Sequence, residues 1–196
     1  MQLGILGGTF DPIHHGHLAI AADALWQLQL DRVHFLPAAQ QPLKPGGHAA
    51  TAAHRLAMTR LAVADEPRFA VSDIEVRRAG LSYTVKTVAA LQQQHPADVL
   101  WFIIGADSLH TLPRWHHVER LLTLCRFAVV GRPGYEASLP AALQSYAARF
   151  AFISGPALDI SATALRTRIA QGAPVRYQMP APVCDYIATH NLYRTP

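Results

Sequence analysis

Short apolar runs alternate with amphipathic stretches along the whole of this chain. The first run, Leu3 to Leu6, predicts a strand that stops at Gly7-Gly8, and His17 to Leu30 reads as a helix. A second strand is expected from Val33 to Leu36, closed by Pro37. After a loop rich in Pro, Gly and Gln through Gly47, a helix is expected from about Thr51 to Asp65. Phe69 to Val71 predicts a brief strand whose edge Ile74 to Val76 would continue. Ser82 stands as an N-cap before a helix carrying Val85, Val88 and Leu91. Val99-Leu100-Trp101-Phe102-Ile103-Ile104 is continuously apolar, as a strand buried on both faces of a parallel sheet should be. Phe127 to Val130 repeats that pattern before Gly131. A strand near Phe150 to Ile153 leads to Ser161, which caps a helix ending at Gly172, and Pro182 to His190 makes a last helix.

Strand and helix alternate almost throughout, which predicts an α/β fold built on a doubly wound, mostly parallel sheet. A small helical part is expected from about residue 161. One domain over residues 1–196 accounts for the length, which is enough to bury a core without disulfide or structural metal. In such sheets ligands bind beyond the carboxyl ends of the strands, so the residues directly after each strand carry the interest.

Composition narrows the classes. Hydrophobic residues make up 51% and charged residues 15%, with no biased tract, which argues against disorder. The longest apolar runs fall well short of the roughly 18 residues of a membrane span. The formal charge is +4, and the only lysines are Lys44 and Lys86. Arginine's planar fork suits phosphate and carboxylate, so the balance hints at anionic small molecules. The arginines are scattered and form no nucleic-acid stripe. Cys125 and Cys184 show no C-x-x-C spacing, and with no signal peptide they are expected to be reduced thiols of a cytoplasmic protein.

Two constellations carry chemistry. Behind the first strand lies Gly7-Gly8-Thr9-Phe10-Asp11-Pro12-Ile13-His14-His15-Gly16-His17. The paired glycines let backbone approach a ligand, and the amides at a helix start form an anion site. His14 and His17 are three apart and share a face if the helix begins near them, with Gly16 leaving room between them. The spacing is neither the dinucleotide G-x-G-x-x-G nor a P-loop. A tight turn with packed histidines is the plain alternative. A zinc site is the other, and nearby residues complete no tetrahedral set. Near the C-terminus, Ile160-Ser161-Ala162-Thr163-Ala164-Leu165-Arg166 opens a helix with Ser161 as cap and Arg166 on its second turn, beside Thr163. Alone, that segment is an ordinary capped amphipathic helix.

Together the two segments resemble the G-G-T-F-D-P-x-H-x-G-H and I-S-[SA]-T-x-[IL]-R motifs of the nucleotidyltransferase superfamily, whose Rossmann-like fold is shared with class I aminoacyl-tRNA synthetases. Ser82-Tyr83-Thr84, Gly105-Ala106-Asp107-Ser108-Leu109 with Trp115, and Arg132-Pro133-Gly134 follow in order. With them, essentially the whole chain is similar to the bacterial nicotinate mononucleotide adenylyltransferases. The resemblance implies adenylyl transfer from ATP, with Mg2+, to nicotinate mononucleotide in NAD biosynthesis. It implies His14, His17 and Arg166 on the ATP phosphates, within a site formed by Gly7, Gly8, Thr9, Phe10, Gly16, Ile160 and Ser161. It places Gly105, Asp107 and Arg132 on the adenosine side, Tyr83, Thr84 and Trp115 around the nicotinate ring, and Lys44 near the phosphates. It implies no dedicated metal ligands, no nucleic-acid or membrane partner, and leaves a homo-oligomer open. The loop Pro37-Ala38-Ala39-Gln40-Gln41-Pro42-Leu43-Lys44 departs from the Asn and Pro-His-Lys/Arg that the family often carries there. Transfer to another phosphate acceptor such as phosphopantetheine, and a non-catalytic nucleotide sensor, are the competing functions.

Overall fold

The computed structural model describes residues 1–41, 47–131 and 138–194. In chain order the elements are β1 (Gln2–Gly8), α1 (His15–Gln27), β2 (Arg32–Pro37), α2 (Ala52–Val63), β3 (Phe69–Val71), α3 (Ile74–Arg78) and α4 (Thr84–Gln94). Then come β4 (Val99–Gly105), α5 (Ala106–Thr111), α6 (Val118–Leu124), β5 (Arg126–Gly131), β6 (Phe150–Ser154), α7 (Ala162–Ala170) and α8 (Ala181–Thr189). Short 3-10 turns cover Leu112–Arg114 and Ala141–Arg149.

The six strands form one sheet in the order β3-β2-β1-β4-β5-β6, and every neighbouring pair is parallel. Helices cover both sides, giving the Rossmann-like nucleotidyltransferase fold. The alternation of side chains along β4 shows how the two layers are fed. Trp101 and Ile103 enter a core with Ala21 and Leu25 of α1, Met58 of α2, Leu165 of α7 and Val183 and Ile187 of α8. Leu100, Phe102 and Ile104 enter the opposite core with Val85, Val88 and Leu91 of α4 and Leu121 and Leu122 of α6. Because β4 is buried on both faces, its sequence is apolar without interruption.

The long elements lie where the apolar pattern predicts them; the differences fall on short ones. Ile74 to Val76, expected to extend the β3 edge, instead begins α3. Three residues that alternate apolar and polar fit a strand or a helical turn equally. Here Glu75 turns inward and accepts a 2.6 Å hydrogen bond from Thr87 Oγ1 of α4. The cap of α4 is Tyr83, one residue later than expected. The Ser82 hydroxyl accepts from the Ala39 amide (3.0 Å) and its own amide donates to the Gln40 carbonyl (2.8 Å), so Ser82 ties the loop after β2 to the start of α4. The six- and seven-residue helices α5 and α6 are too short to show a period in sequence. Cys125 and Cys184 are both free thiols. No helix among the described residues is long and apolar enough to cross a membrane.

Leu165, fully buried on α7, anchors the C-terminal helices to the first core. Replacing it with alanine is expected to cost about 2–5 kcal/mol, read as a lowered urea midpoint at unchanged slope.

Candidate active site

All six strands point their carboxyl ends at one edge of the sheet, and a cavity of about 1420 Å³ opens there. Gly7 and Gly8 at the end of β1, Gly105 at the end of β4 and Gly131 at the end of β5 all line it. Thr84 and Tyr83 at the start of α4 and Ser161 at the start of α7 close it from two sides.

The His14 end is tightly built. Phe10 holds a left-handed backbone (φ 50°), a conformation that a bulky residue adopts only when its surroundings impose it. The surroundings do so: its ring is buried, meeting His17 edge-on at 5.0 Å and Phe35 at 5.9 Å. His14 is the N-cap of α1, and its ring lies 3.8 Å from that of His17. The His14 amide donates to His17 Nδ1 at 3.3 Å, so that nitrogen acts as an acceptor and Nε2 is the ring's N–H donor. Gly16 is needed for a reason other than phosphate room alone. A Cβ there would lie 3.0 Å from His14 Nδ1, so the missing side chain lets the His14 ring fold back over the helix start. Burial, and then the neighbouring His15, push the His14 pKa down to about 4, and the ring is neutral at pH 7.

α7 joins this end from the far side of the sequence. Ser161 caps it, its hydroxyl accepting from the Ala164 amide at 3.2 Å. Arg166 donates to the Asp11 carbonyl (2.8 Å) and to Thr163 Oγ1 (3.2 Å) while lining the cavity. Ile160 lines the same wall beside Gly16. The Thr9 hydroxyl donates to Gln41 Oε1 at 2.9 Å, linking the turn to the loop after β2.

At the other end Trp115 packs edge-on against Phe102 (5.9 Å, 88°), with Nε1 donating to Thr111 Oγ1 at 3.4 Å. Trp115 lines the cavity wall. No side chain caps α4, and the Lys86 amide of its first turn donates to the Tyr83 carbonyl at 3.0 Å. Asp107, in the first turn of α5, lines the middle of the cavity together with Gly105. The structure therefore brings His14, His17, Arg166, Gly7, Gly8, Thr9, Phe10, Gly16, Gly105, Asp107, Ile160, Ser161, Tyr83, Thr84 and Trp115 to one cavity. Lys44 and Arg132 lie outside the described residues.

Sequence reasoning misses two groups. His116 stacks on Tyr83 at 4.4 Å and lines the cavity, its pKa lowered by desolvation and by His117 and Lys86. Its position directly after Trp115 is the available signal. Asp11 carries the second group. Its carboxylate accepts from the Ala49 and Ala50 amides and from the Tyr193 hydroxyl, a partner 182 positions away that no local pattern announces.

Comparison with known proteins settles the family. The Cytidylyltransferase-like family model matches residues 5–168. A Roseiflexus protein named probable nicotinate-nucleotide adenylyltransferase is 54% identical over 195 residues, covering 98% of each chain. The chain belongs to the nicotinate-nucleotide adenylyltransferase family. A second family member, from Herpetosiphon aurantiacus, is 52% identical with the same coverage. A Plasmodium falciparum nicotinic acid mononucleotide adenylyltransferase solved with NaAD superposes with a TM-score of 0.77 over 98% of this chain and 97% of that one. At 18% identity it shares the fold. The adenylyltransferase fold thus accounts for the sheet, and the cavity at its carboxyl edge is where the family's two motifs meet.

The lowered pKa of His14 has a consequence for stability. The unfolded ring takes up its proton near pH 6.5 and the folded ring only near 4, so acid favours the unfolded chain in that window. Stability present above pH 6.5 is lost as the pH falls towards 4. Between pH 7 and pH 4.5 a His14→Gln protein should lose less stability than the unmodified chain, by about 2–3 kcal/mol in urea unfolding. Parallel losses in the two proteins would contradict the buried neutral ring.

Proposed function

We propose that this cavity joins the adenylyl group of ATP to nicotinate mononucleotide, giving nicotinate adenine dinucleotide and pyrophosphate in NAD biosynthesis, in the cytoplasm and on a single domain. The observation that carries it is the continuity of the cavity, with His14, His17 and Arg166 at one end and Thr84 and Trp115 at the other. Family membership supplies the reaction, and the cavity supplies a place for each half of the product.

An oxygen of the mononucleotide phosphate attacks the α-phosphorus of ATP. A P–O bond forms on the acceptor side as the bond to the β-phosphate breaks, and pyrophosphate leaves. The nucleophile is already anionic, so no protein nucleophile or general base is required. What the chain supplies is position and charge compensation. His17 offers a neutral Nε2–H donor, Arg166 offers its guanidinium held by the Asp11 carbonyl, and the starts of α1 and α7 present amides at their positive ends. Adenylyl transfer from ATP generally involves a divalent metal ion. Among the described residues no three His, Cys, Asp or Glu side chains are grouped to hold one. Mg2+ would be carried by the nucleotide phosphates, which His14, His17 and Arg166 would hold, and the bound ion would offset charge on the departing pyrophosphate.

On the acceptor side, Trp115 gives the pyridine ring a flat partner, and the Thr84 and Val85 amides at the positive end of α4 give a carboxylate its donors. Lys86 adds positive charge nearby, its Nζ lying 5.4 Å from the centre of the Tyr83 ring.

Pyrophosphate release from ATP with each of several acceptors tests the function. Turnover with nicotinate mononucleotide is expected, and His17→Ala should reduce it by about 10²–10³ with the fold retained. A His17→Ala protein of near-normal turnover would remove the histidine from the mechanism. Turnover confined to phosphopantetheine, or nucleotide binding without turnover, would replace the acceptor or the activity.

Acceptor choice gives a second check. A carboxamide NH2 facing amide donors is left unpaired, so the acid should exceed the amide in kcat/KM by at least about tenfold. Thr84→Ala should erode that ratio, whereas Trp115→Ala should weaken both acceptors alike. Equal kcat/KM for the two mononucleotides in the unmodified protein would contradict this account of the pocket.

A further inference from the structure

Beneath the His14 end lies a cation whose side chain does not itself line the cavity. Arg55, one turn into α2, is fully buried. Its Nη1 donates to the Thr9 carbonyl at 2.7 Å, its Nη2 to the Ala39 carbonyl at 3.1 Å, and its Nε to the Ala50 carbonyl at 3.3 Å. These acceptors belong to three separate segments: the turn after β1, the loop after β2, and the approach to α2. Burying a guanidinium is costly unless its donors are used, and three of them here are spent on main-chain oxygens rather than on a carboxylate.

The same knot reaches the C-terminus through Asp11. The Ala50 amide donates to Asp11 Oδ1 (3.1 Å) while its carbonyl accepts from Arg55, so one residue bridges the two charges. The Tyr193 hydroxyl donates to the same Oδ1 at 2.6 Å, and the Asp11 carbonyl accepts from Arg166. Burial and the Asp11 hydrogen bond both raise the Tyr193 pKa, which keeps the hydroxyl a donor.

Peptide geometry connects Arg55 to the site. The Thr9–Phe10 bond is trans, so its N–H points opposite its C=O. With the carbonyl drawn to Arg55, the Phe10 amide faces away from the buried guanidinium, in a turn whose residues Thr9 and Phe10 line the cavity. The left-handed φ of Phe10 is held from both ends, by its buried ring and by the anchored carbonyl before it.

We propose that Arg55 and Tyr193 are positioning residues for the ATP phosphates. Arg55 turns the Thr9–Phe10 amide towards the nucleotide, and Tyr193 fixes the Asp11 segment whose carbonyl holds Arg166. Neither touches substrate. This rests on ATP phosphates binding at the His14 end, and the test separates the two.

The full-length protein, Arg55→Lys and Tyr193→Phe are compared by thermal melting, by kcat and KM for each substrate, and by calorimetric ATP affinity. Arg55→Lys keeps the charge and loses the three-pronged geometry. It should lower kcat/KM for ATP by roughly 10²-fold, and Tyr193→Phe by roughly three- to tenfold. KM for the mononucleotide should stay within about twofold in both, since a misplaced phosphate turn leaves the Trp115 end intact. A merely structural role would lower the melting temperature and the folded fraction and reduce both substrates in proportion. That pattern, or a wild-type ATP dependence in folded variants, would overturn the proposal. Should Arg55→Lys not fold, Tyr193→Phe decides on the same readouts. ATP affinity carries the test without turnover: weaker ATP binding by folded variants supports positioning even were pyrophosphate release absent, an absence that would count against the adenylyl-transfer function alone.

Discussion

Everything in this molecule depends on six strands running in one direction. A parallel ladder cannot be closed by hairpins, so each strand must be carried back by a crossover, and helices come to cover both faces. The strands then end together, and chain direction collects at one edge the turns that leave β1, β4 and β5. Glycines stand at those three exits, where a Cβ at Gly8 would meet the Phe10 ring at 2.8 Å and one at Gly105 would meet Asp107 Oδ1 at 2.5 Å. The site is in this sense a by-product of sheet polarity, elaborated by what each exit carries.

Much of this is legible in the amino-acid sequence alone. The uninterrupted apolar run of β4 announces a doubly buried strand, and the glycines and histidines after β1 announce an anion site. What is not legible falls into two physical kinds. Elements of five to seven residues, α3, α5 and α6, complete too few turns for a period to declare itself. Ile74 to Val76 accordingly reads as a strand edge, and Ser82 as a cap it does not supply. The other kind is long-range polar contact. Nothing around Arg55 distinguishes it from any helical arginine, and its three acceptors come from 46, 16 and 5 positions away. Likewise the resemblance gives His14 and His17 their roles, but not the stacking of their rings or the loss of basicity that burial imposes on one of them.

The electrostatics of the His14 end follow an unusual division. The groups facing the cavity are largely neutral donors and helix ends, while a full positive charge is buried out of reach in Arg55. Neutral imidazoles and amides can approach developing negative charge without first shedding a tightly held hydration shell, and their dipoles need not reorient during reaction. Arg166 is the charged partner on the wall, and its backbone anchor at Asp11 limits the rotamers it must give up when a nucleotide arrives.

The continuity of the cavity also constrains the reverse direction. On the proposed reading, a trough that seats an adenylyl donor at one end and a pyridine ring at the other would match the finished dinucleotide along its length. In the proposed direct transfer, microscopic reversibility makes the groups that assist pyrophosphate departure equally assist its attack on the dinucleotide. The direction of flux is therefore set by removal of pyrophosphate and withdrawal of the dinucleotide, rather than by any asymmetry in the protein.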